Sequence, residues 1–369
     1  MLPRPNPADV IVISDDEDAP LAPLAARSAA MADEPRRKSR ATAAIPFADP
    51  SVIFDLDNLP DLRLVREAYH RDGYVVLRAL DAAQCATHVV EQVKHILLQQ
   101  PWKERLVVRS PAPLAEGEAE GRVLDIDADR ELYLQVLTSP NIPAKTLREW
   151  KEAWPFHRGF GACCDPASFW LPSMCEARQD PRIYAVASAL LGRRDIWVDI
   201  NRSIQKMPTE GEDEFLHWDL SPFADDVNWD ECRALHGKLA ATKSRVVVVP
   251  ATASEKFRTS FVDAYRAHYP NAKPSDAKFG LDRSKPDPLH LLDRRVAIEV
   301  PAGCLVFWKP ELCHGVRKKQ ADEAIEFGFY LGFHAPRPSE LPDRVAAYRE
   351  GRAPQFWPSR DRVHYFPFR

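Results

Sequence analysis

Hydrophobic residues change their spacing near residue 196, and the change divides the chain into a helical part and a strand-rich part. Leu62, Val65 and Tyr69 share one face of a helix predicted over 62–70, which Asp72-Gly73 closes. Tyr74-Val75-Val76-Leu77 then reads as a short strand. Asp81 suits the N-cap of a second helix, in which Ala86, Val89, Val90, Val93 and Leu97 fall on one side before Pro101 ends it. The run 132–137 fits either kind of element, and 141–153 contains a short helix. Ile183, Val186, Ala187 and Leu190 predict a helix over 181–191 with Gly192 as its stop. From Ile196 onward short β-forming runs take over: 196–207, 214–219, 237–242, 245–249, 295–300, 304–308 and 325–333. Helices followed by many short strands predict an α+β fold. The expected core is a double-stranded β-helix (jelly roll, cupin-like) backed by N-terminal helices.

Composition agrees with a sizeable core: of 369 residues, 45% are hydrophobic and 28% charged. A net charge of −4 gives no global reason to expect nucleic acid or a membrane as partner. Seven cysteines without a regular frame argue against a disulfide scaffold, and the adjacent Cys163 and Cys164 lack a CxxC partner for zinc. Reduced thiols in a cytosolic or nuclear protein are the expectation. With no signal-like N-terminus and no long apolar run, the protein is expected to be neither secreted nor membrane-spanning.

Residues 1–46 are rich in Pro, Ala and charge and are expected to be disordered. Within them Val10, Ile11, Val12 and Ile13 form a β-branched run followed by Ser14-Asp15-Asp16-Glu17-Asp18. An apolar strand flanked by acid suits addition to the sheet edge of another protein, where its carboxylates meet a basic rim. The segment 10–18 resembles a SUMO-interaction motif, which implies SUMO or a SUMO-modified protein as partner. The competing reading is an edge strand docked on this protein's own core. Phosphate on Ser14 would add further negative charge. The basic cluster Arg36-Arg37-Lys38-Ser39-Arg40 can serve nuclear import, so the expected location is the nucleus, alone or with the cytoplasm. The remaining units are a domain over 47–335 and a C-terminal extension over 336–369. In the extension, Phe356, Trp357, Tyr365, Phe366 and Phe368 sit among arginines; it is expected to pack on the domain, though aromatics among cations also suit nucleic acid.

The chemistry concentrates at His217-Trp218-Asp219 and His314. On a strand, residues two apart point the same way, so His217 and Asp219 can face one interior while Trp218 faces out. Pro301-Ala302-Gly303 turns into the strand Cys304–Trp308, and His314-Gly315 follows closely enough to return to the same mouth. Two imidazoles and a carboxylate on one face of an octahedral metal leave three positions open, the arrangement of non-haem Fe(II) oxygenases.

Tyr69-His70-Arg71-Asp72-Gly73-Tyr74-Val75-Val76-Leu77, Leu216-His217-Trp218-Asp219, Val246 through Ser254, and Pro301 through Gly315 follow one another in a telling order. Together they resemble the phytanoyl-CoA dioxygenase family of Fe(II)/2-oxoglutarate oxygenases over roughly residues 60–335. In Val249-Pro250-Ala251-Thr252-Ala253-Ser254 the family's Gly and His are replaced. The resemblance implies His217, Asp219 and His314 as Fe(II) ligands, 2-oxoglutarate as co-substrate and hydroxylation of a substrate. A carboxylate at position 219, where halogenating relatives carry a small residue, favours hydroxylation.

One family feature is missing. The arginine that should bind the far carboxylate of 2-oxoglutarate, eleven or twelve residues after the distal histidine, is replaced by Ile325 and Glu326. A cation from elsewhere can substitute, with Arg317 and Lys238 the preferred candidates and Lys318 and Lys319 also near. Alternatively, Glu326 points outward through a different register, as a buried set of Ile325, Phe327, Phe329 and Leu331 permits. In the third case 2-oxoglutarate binding is lost, and the chain is a catalytically silent jelly-roll protein recruited to SUMO-bearing nuclear partners. Arg202, Gln205 and Lys206, just before the HxD, either line the pocket or make sheet-edge ion pairs.

Overall fold

The computed structural model describes residues 47–48, 53–58, 61–98, 123–139, 169–206, 208, 216–224, 234–273, 279–315 and 323–351. Val10 to Ile13, the basic cluster at 36–40, the helix expected over 141–153, Cys163, Cys164, Arg317, Lys318, Lys319 and the aromatic C-terminal stretch lie outside them.

Two short strands, β1 (Phe47–Ala48) and β2 (Ile53–Asp55), precede helix α1 (Leu62–Asp72). Asp61 starts α1 by accepting the Arg63 amide at 2.8 Å, and Gly73 ends it at φ 80. Strand β3 (Tyr74–Arg78) leads to α2 (Ala82–Leu98). Here Asp81 and Gln84 cap each other's amides at 2.8 and 2.9 Å, a reciprocal capping box. The ambiguous run at 132–137 is helical, within α3 (Arg130–Leu137); α4 (Pro172–Arg178) and α5 (Pro181–Leu191) follow.

The strand-rich part comprises β4 (Trp197–Val198), β5 (Ser203–Lys206), β6 (His217–Trp218), β7 (Ala234–Ala240) and β8 (Ser244–Val248). After helix α6 (Glu255–Tyr265) come β9 (Phe279–Gly280), β10 (Val296–Val300), β11 (Cys304–Trp308), β12 (His314–Gly315), β13 (Glu326–Tyr330) and β14 (Phe333–His334). A final helix, α7, spans Leu341–Glu350. The runs expected over 196–207 and 325–333 are each two strands. In the second, Gly332 interrupts the run at a point where a Cβ would lie 2.6 Å from the Leu235 carbonyl.

One sheet has the order β1-β10-β8-β12-β6-β9 and the other β2-β3-β11-β7-β13-β5, with β14 also paired to β7. Pairing is antiparallel except β1 with β10 and β2 with β3. From β5 to β8, and again from β10 to β13, successive strands alternate between the sheets, which therefore enclose one interior. Val76, Ala240, Cys304 and Val306 meet Val246, Val248, Ile298 and Val300 there. Helices α1, α4 and α5 cover Leu235, Leu239, Leu305 and Phe329 on the outer face of the second sheet. Val89 and Val93 of α2 pack on Phe327.

The first sheet is covered too. Phe261 and Tyr265 of α6 pack on Trp218, Val247 and Phe279. Helices were expected only ahead of the strands, but α6 lies among them. Its signal is present in the sequence, as Ser254 caps the Phe257 amide and Phe257, Phe261 and Tyr265 recur at helical spacing. Among the described residues no helix is long and apolar enough to cross a membrane.

Two positions carry stability predictions. Ala251 adopts φ 63, in the left-handed region that costs a Cβ-bearing residue roughly 1–2 kcal/mol. Offset by the larger chain entropy of glycine, Ala251→Gly should stabilise the fold by about 0.5–1 kcal/mol, read as a higher urea midpoint. His88 of α2 is buried against Phe329, and its Nδ1 has no hydrogen-bond partner among the described residues. Burial lowers its pKa to about 4. The unfolded chain takes up that proton below about pH 6.5, so folded stability falls as pH drops from 6.5 toward 4, by up to about 3 kcal/mol. A His88→Leu variant should lose this component, so its stability relative to wild type should rise as pH is lowered through that window.

Candidate metal centre

Strand β6 is only His217–Trp218, and its orientation is set by the tryptophan. Trp218 is fully buried, 4.8 Å from Phe261 between ring centroids, which turns His217 and Asp219 to the other face. Just beyond the strand, the Leu220 amide donates to the Pro310 carbonyl at 3.0 Å and fixes the chain at Asp219. Strand β12 lies between β6 and β8, so His314 pairs directly with His217 on one side and Val248 on the other. The turn after β8 secures this strand. Thr252 Oγ1 donates to the Val249 carbonyl and accepts the Cys313 amide, and the Val249 amide donates to the Cys313 carbonyl.

Pairing brings the three expected residues together. The imidazole centroids of His217 and His314 are 4.3 Å apart. Asp219 Oδ1 lies 3.5 Å from His217 Nε2, and Oδ2 lies 3.3 Å from His314 Nε2. All three ligand atoms lie within 4.8 Å of one another. His314 Nδ1 is 2.8 Å from the Leu312 carbonyl, which can only accept, so the proton sits on Nδ1 and the Nε2 lone pair faces the cluster. Burial alone would raise the Asp219 carboxyl, but the surrounding imidazoles of His314, His236 and His217 hold it well below the usual carboxylate range. Two nitrogen donors and one ionised oxygen fit a divalent transition metal.

Two neighbours escaped the sequence reading. His236 of β7 makes a 2.6 Å hydrogen bond through Nδ1 to Asp219 Oδ2. Burial alone would lower the His236 pKa, but the charge and hydrogen bond of Asp219 outweigh it and the value is raised. Trp308 stands opposite His236 on β11 and directs Nε1 at the same oxygen from 3.4 Å. The available signal was strand alternation, because His236 shares a face with Lys238, already a site candidate.

Lys238 is buried between the sheets and ion-paired with Glu326 of β13. Glu326 therefore does not point outward. Ile325, Phe327, Phe329 and Leu331 are indeed a buried set, but they pack on the helices, and this turns Glu326 into the inter-sheet space. Alternation could not reveal the direction, because both faces of this sheet are covered. Lys206 lies directly opposite Glu326 and is likewise buried, not a surface ion-pair residue. Gln205 faces the other way and donates to Gln92 of α2 at 2.7 Å, while Gln92 donates to the Gly328 carbonyl at 3.0 Å. Tyr330 stands opposite Lys238 with the Arg202 guanidinium 5.3 Å over its ring.

No protein-family model matches the chain, and no curated protein matches it. Solved structures do. GIG2 (GlcNAc Inducible Gene 2) from Candida albicans superposes with a TM-score of 0.52 at 13% identity, over 86% of this chain and 73% of that one. That likeness is one of fold. The non-heme alpha ketoglutarate dependent epimerase SnoN from nogalamycin biosynthesis gives a TM-score of 0.38 at 15% identity, over 76% of this chain and 88% of the other. EctD from S. alaskensis gives 0.37 at 18% identity, over 73% and 75%.

Proposed function

We propose that this chain is a non-haem Fe(II)- and 2-oxoglutarate-dependent dioxygenase of the phytanoyl-CoA dioxygenase type, which hydroxylates its substrate on a double-stranded β-helix. The observation that carries the reading is the convergence of His217, Asp219 and His314, with all ligand atoms within 4.8 Å, between two facing sheets. These three residues would hold the iron. Bound iron with 2-oxoglutarate would supply oxidative decarboxylation to succinate and transfer of one oxygen to a substrate C–H bond.

The chain's own residues would bind and orient. Lys238 is the proposed partner of the far carboxylate of 2-oxoglutarate. It lies one same-face step, about 7 Å, along β7 from His236, which touches the metal carboxylate. That span suits a five-carbon diacid with its other end at the metal. Glu326 is the buried ion-pair partner of Lys238 and would yield its place as the carboxylate of 2-oxoglutarate arrives. The buried Val306 and Val76 nearby keep water from that end.

Succinate formation from 2-oxoglutarate under oxygen tests the proposal. Turnover should require Fe(II) and should fall at least about 100-fold in His314→Ala. Turnover unchanged by that substitution would overturn it. The tail is proposed to recruit SUMO-bearing partners in the nucleus through Val10, Ile11, Val12 and Ile13. Replacing these four with alanine should abolish SUMO pull-down, and undiminished capture would discard the motif.

A further inference from the structure

We infer that His236 is a positioning residue that sets the rotation of the Asp219 carboxylate and thereby the metal affinity of the centre. The inference rests on the metal reading above and adds a fourth residue to it. Three observations carry it. First, the Nδ1–Oδ2 distance of 2.6 Å is short for a nitrogen donor, as expected when the acceptor is ionised. Second, Trp308 Nε1 approaches the same oxygen from 3.4 Å, and its ring lies 5.0 Å from that of His314. Third, His236 and Trp308 are cross-strand partners on β7 and β11, in the sheet opposite the one that carries His217 and His314.

The geometry has a physical consequence. Asp219 lies past the end of β6, and its carboxylate turns about two torsions that no strand pairing restrains. Left free, it would give up rotamer entropy each time a metal bound. Donors from the facing sheet fix Oδ2 and settle the orientation of both oxygens beforehand. An outer group that orients a metal ligand in this way typically accounts for about 10–100-fold in metal affinity. A core histidine packed for its bulk alone would leave Asp219 indifferent to its replacement.

Cobalt(II) is the probe, because its visible ligand-field absorption reports ligand geometry without turnover. His236→Ala should bind Co(II) about 10–100-fold more weakly, with an altered spectrum. His236→Asn, whose amide nitrogen can occupy the place of Nδ1, should restore tight binding and the wild-type spectrum. If His236→Ala fails to fold, His236→Leu fills the space without a donor and is read in its place. Wild-type affinity and spectrum in the donor-free variant would overturn the inference, as would an asparagine variant no better than alanine. Both outcomes leave the triad standing. Failure of the wild-type protein to bind Co(II) would instead overturn the metal reading and this inference with it.

Discussion

Replacing Lys238 with methionine should abolish 2-oxoglutarate binding while metal binding persists. Lys238 is buried, and truncating one partner of a desolvated, hydrogen-bonded charge pair typically costs about 2–5 kcal/mol, or roughly 30- to 5,000-fold in affinity. The same substitution breaks the buried Lys238–Glu326 ion pair, which should destabilise the fold by up to about 3–5 kcal/mol. Stability and binding can be separated by a second change. Lys238→Met with Glu326→Leu removes both charges, so the urea midpoint should recover toward wild type while 2-oxoglutarate binding should not. Binding by the double variant at wild-type affinity would show that the co-substrate cation lies elsewhere.

Asp219→Ala should cost more metal affinity than any change around the ligands, at least about 100-fold for Fe(II) or Co(II). The variant loses the one anionic donor and leaves two imidazoles, which hold the ion less firmly and in no fixed arrangement. The pH dependence follows from the same donors. Metal binds the unprotonated ring nitrogen of an imidazole, so wild-type affinity should fall as the solution is acidified. The Asp219 carboxyl is held well below the usual carboxylate range, so the decline should follow the imidazole donors and not the carboxylate. Competition with a metal-sensitive dye across pH 5–8 would measure both. An affinity flat across that range would argue against histidine ligands.

Much of the architecture was legible because it is written in local pattern. The spacing of Leu62, Val65 and Tyr69 gave α1, and Asp81 marked the start of α2. The triad was legible for a similar reason: the i, i+2 rule orients His217 with Asp219, and the strand before His314 returns it to the same place. What escaped depends on contacts distant in sequence. His236 reaches Asp219 across 17 positions, and Lys238 reaches Glu326 across 88. Neither separation leaves a periodic trace. The direction of Glu326 stays open in the sequence because alternation distinguishes two faces without saying which one is solvated. Here helices cover one face and the opposite sheet covers the other, so a charged residue on either is buried and must find a partner.

The most direct measurement is anaerobic titration of the Fe(II)-loaded protein with 2-oxoglutarate, followed by visible absorption. If His217, Asp219 and His314 hold iron with open positions and Lys238 anchors the far carboxylate, a charge-transfer band of the chelate should appear and saturate. It should be missing from Asp219→Ala for want of iron and from Lys238→Met for want of co-substrate. A wild-type protein that binds Fe(II) yet shows no band at millimolar 2-oxoglutarate would contradict the proposed dioxygenase function.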